Sequence, residues 1–139
     1  MKPYEYLEHT ADMGMVVRGK DLSELLTHAA QGLFEAIAVL ETVDETVSVE
    51  IHLTADSVEE LFVAWLDELI FRHETEETFF KRAEIQQCSE TEMSATVYGE
   101  PTNFDKHAVY TEIKGVTYHQ LQVVEKSDGS WFAQVIFDL

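Results

Sequence analysis

The sequence predicts an α+β domain in which two amphipathic helices pack on a mainly antiparallel β-sheet. Three observations predict this class: two apolar stripes at helical spacing, several short β-rich runs, and a strong hairpin signal near residue 128. The elements follow the order ββαβαββββ, which is typical of helices packed on an antiparallel sheet. A chain of 139 residues with 45% apolar side chains can bury one core, so we predict a single domain over residues 1–139.

Both helices are predicted from a start signal followed by an apolar stripe. Asp21 and Ser57 each precede a glutamate by three positions, the pattern of a capping box. Apolar residues then recur at helical spacing over 22–37 and over 58–70. Because each helix also has a more polar face, each is expected to lie on a sheet. The stripes are interpreted as core rather than as a cofactor site.

The remaining β-rich runs predict strands. They are residues 4–9, 13–18, 47–53, 79–87, 93–98, 116–126 and 130–139, with one long loop at 99–111. Asp128-Gly129 is typical of a two-residue hairpin turn. With that turn, residue 119 pairs with residue 138, which places His119 opposite Asp138. A slip of one residue would separate them, so this geometry depends on the register.

The chain is strongly acidic, with nine Lys and Arg against 27 Asp and Glu and a formal net charge of −18. Lys81-Arg82 is the only adjacent basic pair, so direct binding to nucleic acid is not expected. An acidic surface can dock on a basic partner or simply keep the protein soluble, and charge alone favours the second. We expect a cytoplasmic protein without membrane association, because no apolar stretch or signal-peptide pattern indicates otherwise.

Two short acidic segments are candidates for a metal site. One is the turn His9-Thr10-Ala11-Asp12, and the other is Asp138-Leu139, where a side chain and a terminal carboxylate follow each other. Hard cations such as Ca²⁺ and Mg²⁺ prefer carboxylate oxygens. If the fold brings Asp12 beside Asp138, a bound cation would relieve the repulsion between the carboxylates. Acidic turns and strand ends also occur with no bound metal, and from these residues alone both interpretations stay open.

Positive groups are rare enough to be noted individually. Lys106-His107 lies in the long loop, and residues 112–119 mix basic and aromatic side chains. They can neutralise the acidic segments, contact a partner, or be solvated strand ends. Signatures of catalysis are missing: the sequence has no glycine-rich phosphate loop, no His-Glu-x-x-His motif and no cysteine pair for zinc. An enzyme is therefore not predicted.

Five segments together resemble the archease family. They are YLEHTADMG at 6–14, AAQGLF at 29–34, WLDELI at 65–70, IKGVTYH at 113–119 and VIFDL at 135–139. The resemblance covers nearly the whole chain in the right order, which is more specific than any one segment. Two positions depart from the family pattern: Gly115 stands where Ala is common, and Leu139 where Ile is commoner.

The resemblance implies a small α+β protein that activates the RNA-splicing ligase of tRNA splicing and RNA repair, which joins RNA ends using GTP and divalent metal. Archease is thought to promote the ligase's guanylylation and turnover. Carried over by position, the family's metal site is Asp12, Asp138 and the terminal carboxylate of Leu139, holding Ca²⁺ or Mg²⁺. Lys106 and His107 match the family's basic loop and are expected to contact the partner.

Two other functions stay open. Some archaeal members are described as chaperones of a tRNA cytosine methyltransferase, a function that would use the acidic surface and not depend on Asp12 or Asp138. A stand-alone metal-dependent hydrolase using the same carboxylates would turn over phosphoesters without a partner.

Overall fold

The computed structural model describes residues 2–8 and 12–139, and its elements follow the predicted order ββαβαββββ. The helices are α1, Leu22–Ile37, and α2, Val58–Thr75, with a short 3-10 helix at Leu40–Thr42. The strands are β1 Tyr4–Glu8, β2 Asp12–Gly19, β3 Val47–Thr54, β4 Thr78–Cys88, β5 Glu92–Pro101, β6 Gly115–Glu125 and β7 Trp131–Asp138.

Both helices begin at the predicted capping residues. The Asp21 side chain accepts a hydrogen bond from the backbone N–H of Glu24 at 2.8 Å. The Ser57 hydroxyl accepts one from the backbone N–H of Glu60 at 3.2 Å. Each glutamate also reaches back, and the Glu24 carboxylate accepts from the backbone N–H of Lys20 at 3.0 Å. The bonds to Asp21 and Ser57 satisfy N–H groups that the first helical turn leaves without intrahelical partners, and the bond from Lys20 fixes the chain just before α1.

The strands form two antiparallel sheets, one ordered β1-β2-β7-β6 and the other β3-β5-β4. Both helices contact both sheets: α1 packs on β2 and β4, and α2 packs on β6, β3 and β4. The α+β prediction of helices on antiparallel sheet is confirmed, with the difference that the helices join two sheets. Fully buried Trp65 fixes one helix to the other by donating its indole N–H to the Leu26 carbonyl at 2.9 Å.

The predicted register of the last hairpin is wrong. Lys126 donates its N–H to the Ser130 carbonyl at 2.7 Å, and Gly129 donates to the Lys126 carbonyl at 3.0 Å. Gly129 has φ +88°, so the loop has three residues with glycine in the left-handed position rather than two. This loop shifts the pairing by one residue, so Val123 pairs with Ala133 and not with residue 134.

A large bulge in β6 moves the register further. Thr117 pairs with Ile136 and Gln122 with Gln134, so residues 118–121 of β6 stand opposite Val135 alone. Gln120 has φ +53° at this bulge. As a result Asp138 pairs with Gly115, and the predicted pairing of His119 with Asp138 does not occur.

Of the helices that the structure describes, neither is long and apolar enough to cross a membrane.

Two glycines in the sheets should respond in opposite ways to alanine. At Gly115 an added methyl group would meet nothing within 4 Å, so Gly115→Ala should raise the free energy of unfolding by about 0.4–1 kcal/mol through lower unfolded-state entropy. At Gly99 the added carbon would collide with the Phe79 carbonyl oxygen, so Gly99→Ala should lower it by about 1–3 kcal/mol. Urea unfolding of both variants measures these changes, and a destabilised Gly115→Ala would contradict the open space at that site.

Candidate functional site

The fold brings Asp12 and Asp138 together. They are directly opposite each other in the antiparallel pairing of β2 with β7. Residues opposite each other in such a pair point to the same face, with Cβ atoms roughly 4.5–5.5 Å apart. The metal-site prediction required Asp12 and Asp138 to be neighbours in the fold, and they are.

The β6 side of this pair is open. Asp138 also pairs with Gly115, and its carbonyl accepts the backbone N–H of Lys114 at 2.9 Å. Gly115 carries no side chain and has open space at its Cβ position, so the residue of β6 that pairs with Asp138 does not cover it. Asp138 is exposed, and Leu139 is 42% exposed. Asp12 is partly buried and Asp138 is exposed, and we call this pair of aspartates the acidic edge.

The donor chemistry of the acidic edge fits a hard divalent cation, since carboxylate oxygens are the ligands that Ca²⁺ and Mg²⁺ prefer. Within residues 2–8 and 12–139, no three His, Cys, Asp or Glu side chains form a group that could hold a metal. The third predicted ligand is the terminal carboxylate of Leu139, which is not a side chain. His9, Thr10 and Ala11 of the predicted turn lie outside the described residues. The metal site stays a prediction.

Lys106 and His107, the predicted partner contacts, belong to an ion-pair network at the base of the 102–114 loop. The Lys106 ammonium donates to the carboxylates of Asp44 at 2.6 Å and Glu100 at 2.9 Å. His107 bonds to the other oxygen of Glu100 at 2.7 Å. The loop is therefore tied to the end of β5 and to the segment before β3.

His107 is an internal group. Its side chain has no exposed surface, and its ring meets the Phe79 ring edge-on at 5.1 Å. The backbone N–H of Asn103 lies 3.0 Å from Nδ1, and a backbone N–H can only donate. Nδ1 must then be the acceptor, so Nε2 carries the hydrogen that is donated to Glu100. In this conformation His107 holds the loop and offers no surface to a partner.

Lys106 is 38% exposed, but its charge is already paired with two carboxylates. That these two residues contact a partner stays a prediction. Sequence reasoning missed Asp44 because nothing local signals a contact across 62 residues of sequence. It also missed Glu100, which is six residues from Lys106 but belongs to a different element, the end of β5. Hydrogen bonds to the Glu100 carboxylate lower its pKa to about 2. The largest effect comes from the Lys106 ammonium, followed by His107 and the Asp44 backbone N–H.

This network should give acid-dependent stability. Because the pKa of Glu100 is lowered from 4.5 to about 2 on folding, its contribution is present above about pH 4.5 and is lost as the pH falls towards 2. Glu100→Gln should therefore be less stable than wild type near pH 7, and the difference should shrink below pH 4.5. Urea midpoints at several pH values measure it, with Glu90→Gln in the β4–β5 turn as the control. A constant difference between pH 7 and pH 2.5 would contradict this assignment.

A model of the Archease protein family (MTH1598/TM1083) matches residues 4–139. Protein archease of Methanosarcina mazei is 38% identical over 142 residues, covering 99% of this chain and 97% of that protein. Protein archease of Methanopyrus kandleri is 37% identical over 140 residues, covering 99% of each. Protein archease of Pyrococcus furiosus is 30% identical over the full length of both.

Two solved structures share the fold. The solution structure of protein 1598 of Methanobacterium thermoautotrophicum has a TM-score of 0.81 at 31% identity, covering 100% of both chains. The crystal structure of a Thermotoga maritima protein, described as an archease and possible chaperone, has a TM-score of 0.70 at 26% identity, covering 96% of this chain and 94% of that one. The family match, the full-length identities and the shared fold show that this chain belongs to the archease family.

Proposed function

We propose that this protein activates an RNA-splicing ligase in tRNA splicing and RNA repair by promoting its guanylylation and turnover. The observation that carries the proposal is the direct pairing of Asp12 with Asp138 at the ends of the two central strands of the sheet, in an archease-family chain. Together with the carboxylate of Leu139, these residues would hold a divalent cation, Ca²⁺ or Mg²⁺. The Thermotoga relative's description as a possible chaperone supports a function exerted on another protein.

The chain's own part in this function is to fix two carboxylates in place. Asp12 and Asp138 lie at matched positions of paired strands, so backbone hydrogen bonds hold their spacing. A bound cation supplies positive charge that can attract phosphate groups. The open β6 side at Gly115 leaves space through which a partner can approach Asp138. The net charge of −18 favours docking on a basic surface, such as one built to hold RNA.

The protein is proposed to act without catalysing a reaction itself. Cys88 is a poor candidate for a nucleophile because burial raises the pKa of its thiol, which lowers the thiolate fraction.

A second candidate function, chaperone of a tRNA cytosine methyltransferase, is also supported by the description of the Thermotoga relative. It differs from ligase activation in its dependence on the acidic edge: contact through acidic surface alone would tolerate the loss of Asp138 and would weaken with added salt.

Metal binding should be visible in thermal stability. A ligand that binds only the folded state at 100 times its Kd stabilises by about 2.7 kcal/mol, so Ca²⁺ or Mg²⁺ should raise the Tm of wild type. Asp138→Asn should abolish the rise, because an amide replaces an anionic ligand. Asp105→Asn, at an exposed carboxylate in the 102–114 loop, is the matched control and should behave like wild type. Equal shifts in all three proteins would place the cation elsewhere.

Ligase activation is tested by guanylylation of a cognate ligase with GTP and Mg²⁺. Wild type and Glu90→Gln, a control in the β4–β5 turn, should stimulate the reaction, whereas Asp138→Asn should not. Stimulation by Asp138→Asn at the wild-type level would remove the acidic edge from the mechanism. If no form stimulates a ligase that binds GTP, the chaperone function becomes the better account, and turnover of phosphoesters by the protein alone would instead indicate a hydrolase.

A further inference from the structure

A half-open groove of about 320 Å³ lies where both helices end against the 102–114 loop. Its floor and walls are largely apolar. The apolar lining residues are Ile37, Phe79, Phe104, Val109 and Ile113. None of the proposed metal ligands lines this groove.

Large apolar side chains around the groove face solvent. Phe104 is 76% exposed and Val109 46% exposed, and neighbouring Tyr110 is 67% exposed. Phe104 meets the Phe79 ring edge-on at 6.4 Å, so it stands over the groove without being buried in it. Adjacent exposed apolar groups of this size mark interaction sites, because water-exposed apolar surface gains free energy when a partner covers it.

The loop that carries these side chains is held in one conformation. The Asn103 carbonyl accepts the backbone N–H groups of Lys106 at 3.0 Å and His107 at 2.7 Å, which closes a turn around Phe104. Tyr110 donates its N–H to the Ile37 carbonyl at 2.8 Å. The Lys106 and His107 network fixes the same loop to Glu100. A fixed loop loses little conformational entropy on binding, so its exposed apolar groups are preorganised for a partner.

The charges around the groove select the partner's chemistry. Glu74, Glu77 and Glu112 line it and are exposed. Among the described residues that line the groove, none is Lys or Arg. Phosphate groups of nucleic acid or of an anionic membrane would be repelled by this rim and by a net charge of −18. A second copy of the chain would bring the same acidic rim against its own. A cationic partner is attracted instead.

The groove is close to the acidic edge along the chain. Ile113 lines the groove, and Gly115, two residues later, pairs with Asp138. Lys114 between them donates its backbone N–H to the Asp138 carbonyl at 2.9 Å. A partner segment seated in the groove would therefore be positioned next to the aspartates.

We propose that this groove binds a basic segment of a partner protein, in which an aliphatic or aromatic anchor enters between Phe104 and Val109 and flanking Lys or Arg residues meet Glu74, Glu77 and Glu112. The inference rests on the proposed function only for the identity of that partner. Lys106 and His107 act as positioning residues here, because they hold the loop that presents Phe104.

The test uses an amphipathic peptide of Leu and Lys with Leu on one helical face, compared with a scrambled isomer of the same composition. In ¹⁵N-labelled full-length protein, the amphipathic peptide should shift amide resonances of residues 73–77 and 102–114. Phe104→Ser and Val109→Ser should bind it at least ~10-fold more weakly, because the proposed anchor enters between these two side chains. Tyr118→Ser, which removes an aromatic side chain that is 62% exposed on β6, is the matched control and should bind like wild type. Dispersed spectra of each variant confirm folding.

Three results would overturn the groove as the binding site. The first is that both peptides bind equally, with amide shifts spread over the acidic surface. The second is that Phe104→Ser binds the amphipathic peptide with wild-type affinity. The third is that the peptide does not bind, while the wild-type protein self-associates with rising concentration and Phe104→Ser does not. Stimulation of the ligase is measured in a separate assay, so the ligase function and the groove can fail independently. If stimulation fails while the peptide binds as expected, the ligase function is wrong and the groove stands. Stimulation without groove-directed peptide binding overturns the groove alone.

Discussion

The antiparallel pairing of β2 with β7 is the constraint on which the rest of the structure depends. It joins residues 12–19 to residues 131–138 and so connects the two ends of the chain. One face of this pair supplies fully buried Met15, Val17 and Val135 to the core beneath α1. The same register places Asp12 opposite Asp138. A slip of one residue would turn the apolar face towards solvent and would at the same time move the two aspartates apart. Burial of the core therefore also fixes the acidic edge.

Local features of the fold were predictable, because a capping residue and an apolar stripe act within a few residues of each other. Asp21 and Ser57 therefore indicate where both helices begin. The final hairpin shows the limit of such reasoning, since Asp128-Gly129 is compatible with loops of two or three residues. Nothing in the β6 sequence indicates that Gln120 adopts positive φ. That Asp12 and Asp138 lie side by side could be predicted only conditionally, because it depends on a strand pairing between residues far apart in the sequence.

The few cations of this acidic protein serve mainly to hold the chain together. Arg72 pairs with Glu68 and Glu76 along α2, and Arg82 pairs with Glu45 across to the segment before β3. The remaining described pairs include Arg18 with Glu5 and Lys106 with Asp44. Because these positive groups are used internally, most of the outer surface stays negative. That distribution favours recognition by charge and fast association over large buried contacts.

The bulge in β6 has a consequence for how the molecule behaves in a crowded solution. β6 is an edge strand of the four-stranded sheet, and near its start the Val116 N–H donates to the Asp67 carboxylate of α2 at 3.3 Å. A regular edge strand of 11 residues could accept a strand from another molecule and start a continuous intermolecular sheet. Residues 118–121, with Gln120 in the left-handed region, interrupt that edge in the middle. The irregular strand therefore disfavours fibril-like aggregation.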